Sequence, residues 1–260
     1  MAEFAKVRQW HSPGIPELEC LSILAPNLPM ERIVCTAPKL IHVERGSGRS
    51  RVGKTVHLVS KGDVVFVPAG EVHGGTPDDD HGIDLQVLVL PATVAEDLND
   101  IHAHVISAGD TPQKFRQVHL LARAGAETLE LEQHLVALSH GITLKPVRKK
   151  ASVGRTRLRR ACEIISDRCF ESISLSEIAA AVSLSRSEVC RTFAREFGMT
   201  PYAYKLAIKA DRARAQISKG TELGEMSLEA GYSDQAHFSK QFRRTFGLNP
   251  RDYSRGFAGN

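Results

Sequence analysis

The last third of the chain repeats itself at a shift of 49 residues. The segment from Ser185 to Pro201 lies over that from Asp234 to Pro250, with Phe193 on Phe242, Arg195 on Arg244 and Phe197-Gly198 on Phe246-Gly247. Pro201-x-x-Tyr204 recurs as Pro250-x-x-Tyr253. So dense a self-match restricts this region to a fold that uses one small unit twice.

Each copy reads as a helix with a sharp start. Ser185 and Asp234 are favoured N-caps, and Ser185-x-x-Glu188 has the spacing of a capping box, which satisfies two backbone donors that a helix start otherwise leaves orphaned. Val189, Phe193 and Phe197 fall four apart, as do Phe238, Phe242 and Phe246, giving each helix one apolar stripe. The following glycine suits a left-handed helix end, and the proline three residues on suits the start of the next helix. A shorter helical pattern precedes each copy, at Leu175 to Val182 and about Leu223 to Ala230, after a tight turn. Two short helices joined this way make a helix-turn-helix. With the stripe buried, Arg186, Ser187, Cys190 and Arg191 point outward in the first copy, and Gln235, Ala236, Ser239 and Lys240 in the second. Gln suits adenine and Arg or Lys suits guanine in a major groove. Arg195, Arg212, Arg243, Arg244 and Arg251 are the nearby candidates for backbone phosphates. The helical stretch Tyr202 to Ile217 spans roughly 24 Å at about 1.5 Å per residue. Adding the flanking helices approaches the roughly 34 Å between successive major grooves on one face of DNA.

Charge supports the same reading. Residues 1–144 carry 12 Lys and Arg against 18 Asp and Glu, and the remainder carries 22 against 12, so an acidic half precedes a basic one that wants an anion. No stretch approaches the roughly 18 to 20 apolar residues of a membrane span, and the first residues do not read as an export signal. Cys20, Cys35, Cys162, Cys169 and Cys190 form no Cys-x-x-Cys pair and fit a reducing cytoplasm.

The acidic half has a different period. From Lys39 to Val67 short alternating apolar runs are separated by glycines, the pattern of an antiparallel meander or barrel, and Asp84 to Leu90 reads as a further strand. Helical periods follow at Thr93 to His104 and Glu127 to His140, where Leu131, Leu135 and Leu138 form a stripe suited to a dimer surface or to packing on the barrel. Residues 141–154 include Lys145-Pro146 and Arg148-Lys149-Lys150, with no sustained apolar period, as in a solvated linker. The expected fold is therefore α+β in two domains: a β-barrel with packed helices over 1–140, the linker, and an all-α domain over 155–260 carrying two helix-turn-helix units on a connecting helix.

Over about Arg157 to Arg255 the sequence resembles the AraC/XylS family of bacterial regulators, most specifically in Ala230-Gly-Tyr-Ser-Asp-Gln-Ala-His-Phe-Ser-Lys-Gln-Phe-Arg-Arg-Thr-Phe-Gly-Leu-Asn-Pro-Arg-Asp-Tyr253. The resemblance implies base-reading positions at Ser187, Cys190, Arg191, Gln235, Ala236, Ser239 and Lys240. One departure is Ser183, where the family usually has glycine in the first turn. The first half resembles the cupin-like sensor domains that often precede such a unit: Gly62-Asp-Val-Val-Phe-Val-Pro68-Ala-Gly70-Glu-Val-His73 matches the second cupin motif. The first motif's His-x-His is missing from Glu31 to Gly46, and Lys39 stands about where its glutamate falls, so neither metal nor cofactor is expected. His42, His57 and His73 are the candidate effector contacts. The resemblance implies a cytoplasmic, homodimeric, promoter-binding regulator, not an enzyme. It is read as an activator that works with RNA polymerase and answers a small-molecule effector held in the barrel. Two other readings stand beside it: a barrel that only dimerises a constitutive DNA-binding protein, and a cupin enzyme with a DNA-binding appendage.

Overall fold

The computed structural model describes residues 6–25, 30–98, 101–143, 153–246 and 248–255. The first half is built from two antiparallel sheets. Its strands are β1 (Lys6–His11), β2 (Glu19–Ala25), β3 (Met30–Val34), β4 (Lys39–Arg45), β5 (Ser47–Val52), β6 (Thr55–Ser60), β7 (Val64–Val67), β8 (Val72–Pro77), β9 (Ile83–Val89) and β10 (His104–Ile106). One sheet has the order β1-β2-β9-β4-β7-β10 and the other β3-β8-β5-β6. The glycines of the sequence pattern lie at the corners: Gly53 and Gly62 have φ of 58° and 95°, which only glycine adopts freely.

Alternation along β4 decides what faces where. Lys39, Ile41 and Val43 point into the space between the sheets, and Leu40 and His42 point the other way, under the helices that cover the larger sheet. Those helices are α2 (Thr111–Ala124) and α3 (Thr128–Thr143), preceded by the short α1 (Ala92–Ala95) with one 3-10 turn after it. Phe115 and Val118 of α2 join Leu131, Leu135 and Leu138 of α3 against Leu40, Phe66 and Leu88 of the sheet.

One expectation changes here and one open alternative is decided. The helix expected at Thr93 to His104 is confined to residues 92–98, and His104–Ile106 pairs with β7 as an edge strand. The stripe Leu131, Leu135 and Leu138 is buried within the chain, so it packs on the barrel and leaves no dimer surface of its own. α2 escaped the sequence reading because its buried face, Thr111, Phe115, Val118, His119 and Ala122, has only three apolar members.

The second half is helical: α4 (Val153–Asp167), α5 (Leu175–Ala181), α6 (Arg186–Phe197), α7 (Pro201–Ser218), α8 (Leu223–Glu229), α9 (Gln235–Phe246) and α10 (Pro250–Arg255). α3 and α4 each run slightly into the expected 141–154 linker, whose central residues 144–152 lie outside the described residues. The helical half rests on the barrel. Val34 and Val72 share a core with Phe193 and Tyr204, and Leu21, Ile23, Val87 and Val89 share another with Phe238, Phe242 and Tyr253.

Candidate nucleic-acid interface and ligand cavity

The two repeated units are assembled from the same local devices. Before α6, the Ser185 hydroxyl accepts from the Glu188 backbone N–H at 3.2 Å and the Glu188 carboxylate accepts from the Ser185 N–H at 2.9 Å. Before α9, the Asp234 carboxylate accepts from the His237 N–H at 2.7 Å. Phe193, Phe238 and Phe242 are fully buried, worth about 2 to 3 kcal/mol each. The turn of the first unit also obeys the second unit's geometry. Ser183 has φ 53° and Gly231 φ 62°, and in both turns the next residue's N–H bonds back five positions, Leu184 to the Ala179 carbonyl and Tyr232 to that of Ser227.

This packing leaves the predicted base-reading faces outward. Arg186, Ser187, Arg191 and Arg195 are exposed on α6 and Cys190 is half-buried; on α9, Ala236, Lys240, Arg243 and Arg244 are exposed, with Gln235 and Ser239 half-buried. Among the phosphate candidates, Arg212 is turned inward, where its Nη2 donates to the Ser166 hydroxyl of α4 at 3.2 Å. α7 joins the units through 18 residues, about 27 Å.

Between the sheets and the helical half lies an apolar cavity of about 140 Å³. Its barrel side includes Ile41, Val43, Val65 and Val87, and its other side is made by Arg214 of α7, Phe246 and Leu248 at the end of α9, and Tyr253 of α10. Of the three candidate effector histidines only His73 lines it. Its Nδ1 donates to the Glu71 carbonyl at 3.3 Å, and burial, reinforced by the Lys39 cation, lowers its pKa to about 4, so it is neutral at neutral pH. His42 lies on the opposite face of β4, stacked on Phe115 at 5.3 Å. His57 is half-buried on β6, one pleat beyond Val59, which does line the cavity.

The polar groups that sequence reasoning missed are the cations at the wall shared by the two halves. Lys39 is buried and meets Asp211 of α7 at 3.4 Å, and Asp211 also accepts from the Thr36 backbone N–H and hydroxyl, both at 2.8 Å, and from Arg214 at 3.1 Å. Burial alone raises a carboxyl pKa, but Lys39, Arg214 and the Thr36 hydrogen bonds overrule it and hold Asp211 ionised far below the usual carboxylate range. Arg214 in turn pairs with Glu19 of β2, whose carboxylate also accepts from the Tyr253 hydroxyl at 2.9 Å. One signal was available: Lys39 interrupts an apolar strand start, and Asp211 and Arg214 sit on the buried face of α7.

Two capped helix-turn-helix units carried on one connecting helix, beneath a barrel with an internal cavity, define a two-domain DNA-binding protein of the ligand-sensing kind. Comparison with known proteins carries this further. The helix-turn-helix domain family matches residues 178–256, and the AraC-like ligand binding domain matches residues 39–139. This chain therefore belongs to the AraC family of DNA-binding transcriptional regulators. Similar proteins include the regulator YbfI of Bacillus subtilis, 20% identical over 75% of this chain and 76% of its own, and the activator RhaS of Klebsiella pneumoniae, 26% identical over 53% of each. The RhaS match thus spans about half of that relative. The fold is shared across 98% of both chains with ToxT from Vibrio cholerae, at a TM-score of 0.65 and 10% identity. ToxT has also been solved with an unsaturated fatty acid bound, and that structure aligns with a TM-score of 0.64 and 11% identity over 100% of this chain and 99% of the other. Among the described residues no helix is long and apolar enough to cross a membrane.

Proposed function

We propose that the chain is a promoter-specific transcriptional activator whose barrel, residues 1–140, governs the DNA-binding half, residues 155–260, through a small apolar effector bearing an acidic group. The observation that carries this reading is the shared cavity wall. Lys39 stands on the barrel side and Arg214, Phe246 and Tyr253 on the helical side, so a ligand seated there touches both halves at once. Lys39 and Arg214 are desolvated cations paired with Asp211 and Glu19, and a ligand carboxylate among these apolar walls would compete with those two partners for their N–H donors. The fatty acid bound by ToxT supports that class of ligand. The cavity as it stands suits a compact molecule, since a cavity near 150 Å³ holds benzene. An effector changes DNA binding only as far as it prefers one arrangement of the halves.

In this reading the protein acts in the cytoplasm as a homodimer, contacts RNA polymerase at the promoter and catalyses no reaction. Leu120 of α2 and Leu129 and Val136 of α3, 50 to 66% exposed, are the apolar groups available for the dimer. Arg186, Ser187, Cys190, Arg191, Arg195, Gln235, Ala236, Ser239, Lys240, Arg243 and Arg244 form the DNA face. His73 is the histidine retained at the effector site.

Thermal denaturation of the full chain with a panel of aliphatic and aromatic carboxylic acids, each paired with its amide, tests the reading. Acids are expected to raise the melting temperature and amides to do so less, with loss of the difference in Lys39→Met. A panel without any shift, alongside intact DNA binding, would favour a barrel that serves only for dimerisation. Selection of bound genomic fragments then identifies the promoter.

A further inference from the structure

We propose that the cleft between the start of α4 and the flank of α6 is a phosphate-binding site for the DNA backbone beside the first helix-turn-helix unit, with Arg157 as its additional phosphate ligand. The proposal rests on the regulator reading above but concerns a helix outside both recognition units.

The cleft, about 370 Å³, brings together Arg157 of α4 with Arg191 and Arg195 of α6. Its one acid, Glu188, is committed to capping: its carboxylate accepts from both the Ser185 N–H and hydroxyl. Those Ser185 bonds, with smaller contributions from Arg191 and Arg157, hold the Glu188 carboxyl below its usual range. Arg157 and Arg191 therefore line a cleft whose one lining carboxylate is already engaged, and Arg195, held through its Nε by Glu196, adds a third guanidinium to it. A phosphate supplies the missing negative charge and matches the fork of N–H donors on arginine.

Arg195 is aimed by its neighbours. Its Nε donates to the buried Glu196 carboxylate at 2.9 Å, and the other oxygen of Glu196 accepts from Lys54, in the β5–β6 turn of the barrel, at 3.0 Å. Gly154 admits this arrangement: a Cβ there would stand 2.6 Å from the Arg195 Nη2 and 2.8 Å from the Glu196 carboxylate. Glycine weakens a helix by about 1 kcal/mol relative to alanine, so a glycine in the first turn of α4 fits a need for close approach. The cleft adjoins the helix that presents Arg186, Ser187 and Arg191, where the backbone of a strand entering its groove passes.

The test is fluorescence anisotropy of the full chain on a labelled DNA duplex between about 50 and 200 mM salt. Arg157→Ala is expected to reduce the slope of log affinity against log salt by about 0.9, the increment for one phosphate contact, on specific and arbitrary sequences alike. Arg157→Lys should retain most of the slope, because charge and not helix packing is at issue. Arg159→Ala, next to Arg157 but outside the cleft, should match the wild type. Gly154→Ala should lower affinity by displacing Arg195 while leaving the far-ultraviolet circular dichroism unchanged. A wild-type slope in Arg157→Ala overturns the proposal. So does a gain in melting temperature with inorganic phosphate at matched ionic strength without any change of slope, which would assign the cleft to a free anion. A wild-type chain that bound no DNA at all would refute the regulator reading instead.

Discussion

Tyr204 and Tyr253 occupy the same place in the two repeats, and both end on the barrel. The Tyr204 hydroxyl donates to the Gly70 carbonyl at 3.1 Å, and the Tyr253 hydroxyl donates to the Glu19 carboxylate at 2.9 Å. Their rings pack alike, Tyr204 on Phe193 at 5.7 Å and Tyr253 on Phe242 at 5.6 Å. Each unit thus sends one aromatic through its own core to the same partner. The anchors differ in chemistry, because Gly70 offers a neutral carbonyl and Glu19 a buried carboxylate shared with Arg214.

Tyr253→Phe is therefore expected to destabilise the docked chain more than Tyr204→Phe. Loss of a neutral hydrogen bond costs about 1 kcal/mol, and loss of one to a charged group about 1.5 to 3 kcal/mol. Urea unfolding of the two variants checks the order; equal losses would contradict it.

Asp211→Ala leaves Lys39 without its buried partner and the Thr36 N–H without its acceptor, so a loss of about 3 to 5 kcal/mol is expected. The double variant Lys39→Met with Asp211→Leu should recover much of that loss, since it removes both buried charges. Stability equal to the wild type in Asp211→Ala would show that the pair adds nothing to docking.

Acid should loosen the fold before it protonates ordinary carboxylates. Burial, helped by Lys39, lowers the pKa of His73 to about 4, and burial, helped by Arg123, does the same for His119. Unfolded histidine takes its proton near 6.5, so between about pH 6.5 and 4 the unfolded chain binds more protons and stability falls as pH falls. Each histidine contributes up to about 1.4 kcal/mol per pH unit in that window. Below it, the depressed Asp211 adds a further loss as its carboxylate is finally protonated. His119→Gln should flatten the upper part of the profile in urea titrations run at successive pH values; an unchanged profile would show that His119 does not report on unfolding.

Ser183→Gly should stabilise the first unit. A non-glycine residue in the left-handed region carries roughly 1 to 2 kcal/mol of strain, and Ser183 sits there with φ 53°. Glycine also has more freedom to lose on folding, so the net gain expected is about 0.5 to 1 kcal/mol, read as a rise in melting temperature.

Gln235→Ala is expected to relax preference at one base position with modest loss of affinity, and Arg244→Ala to weaken binding to all sequences and reduce the salt slope. Competition among single-base variants of the selected promoter separates the two effects. Equal responses to both substitutions would refute the division between base-reading and phosphate-binding residues.

What was legible in the sequence was periodic. The caps at Ser185 and Asp234, the stripes at Val189, Phe193 and Phe238, and the alternation from Lys39 to Val67 all follow from contacts within a few residues, which a linear pattern records. The sequence also exposed Ser183 as an anomaly, and its backbone has the conformation that glycine would have supplied. Elements with weak periods were lost: β1, β2 and β3 were not read as strands, and α2 hides its helical face behind His119 and Thr111.

By itself, the order of residues determined that two like units would form, where each helix would begin, and which side chains the buried stripes would leave outward. Only the folded whole decided that Lys39, expected to stand in for a lost metal ligand, would meet Asp211 across 172 residues of chain, that His42 would lie on the wrong face of its strand, and that Leu131, Leu135 and Leu138 would be spent inside. The physical reason is that a cap or a stripe is completed by its own neighbours, whereas a buried charge, a cavity wall or a covered face is defined by whatever distant element desolvates it.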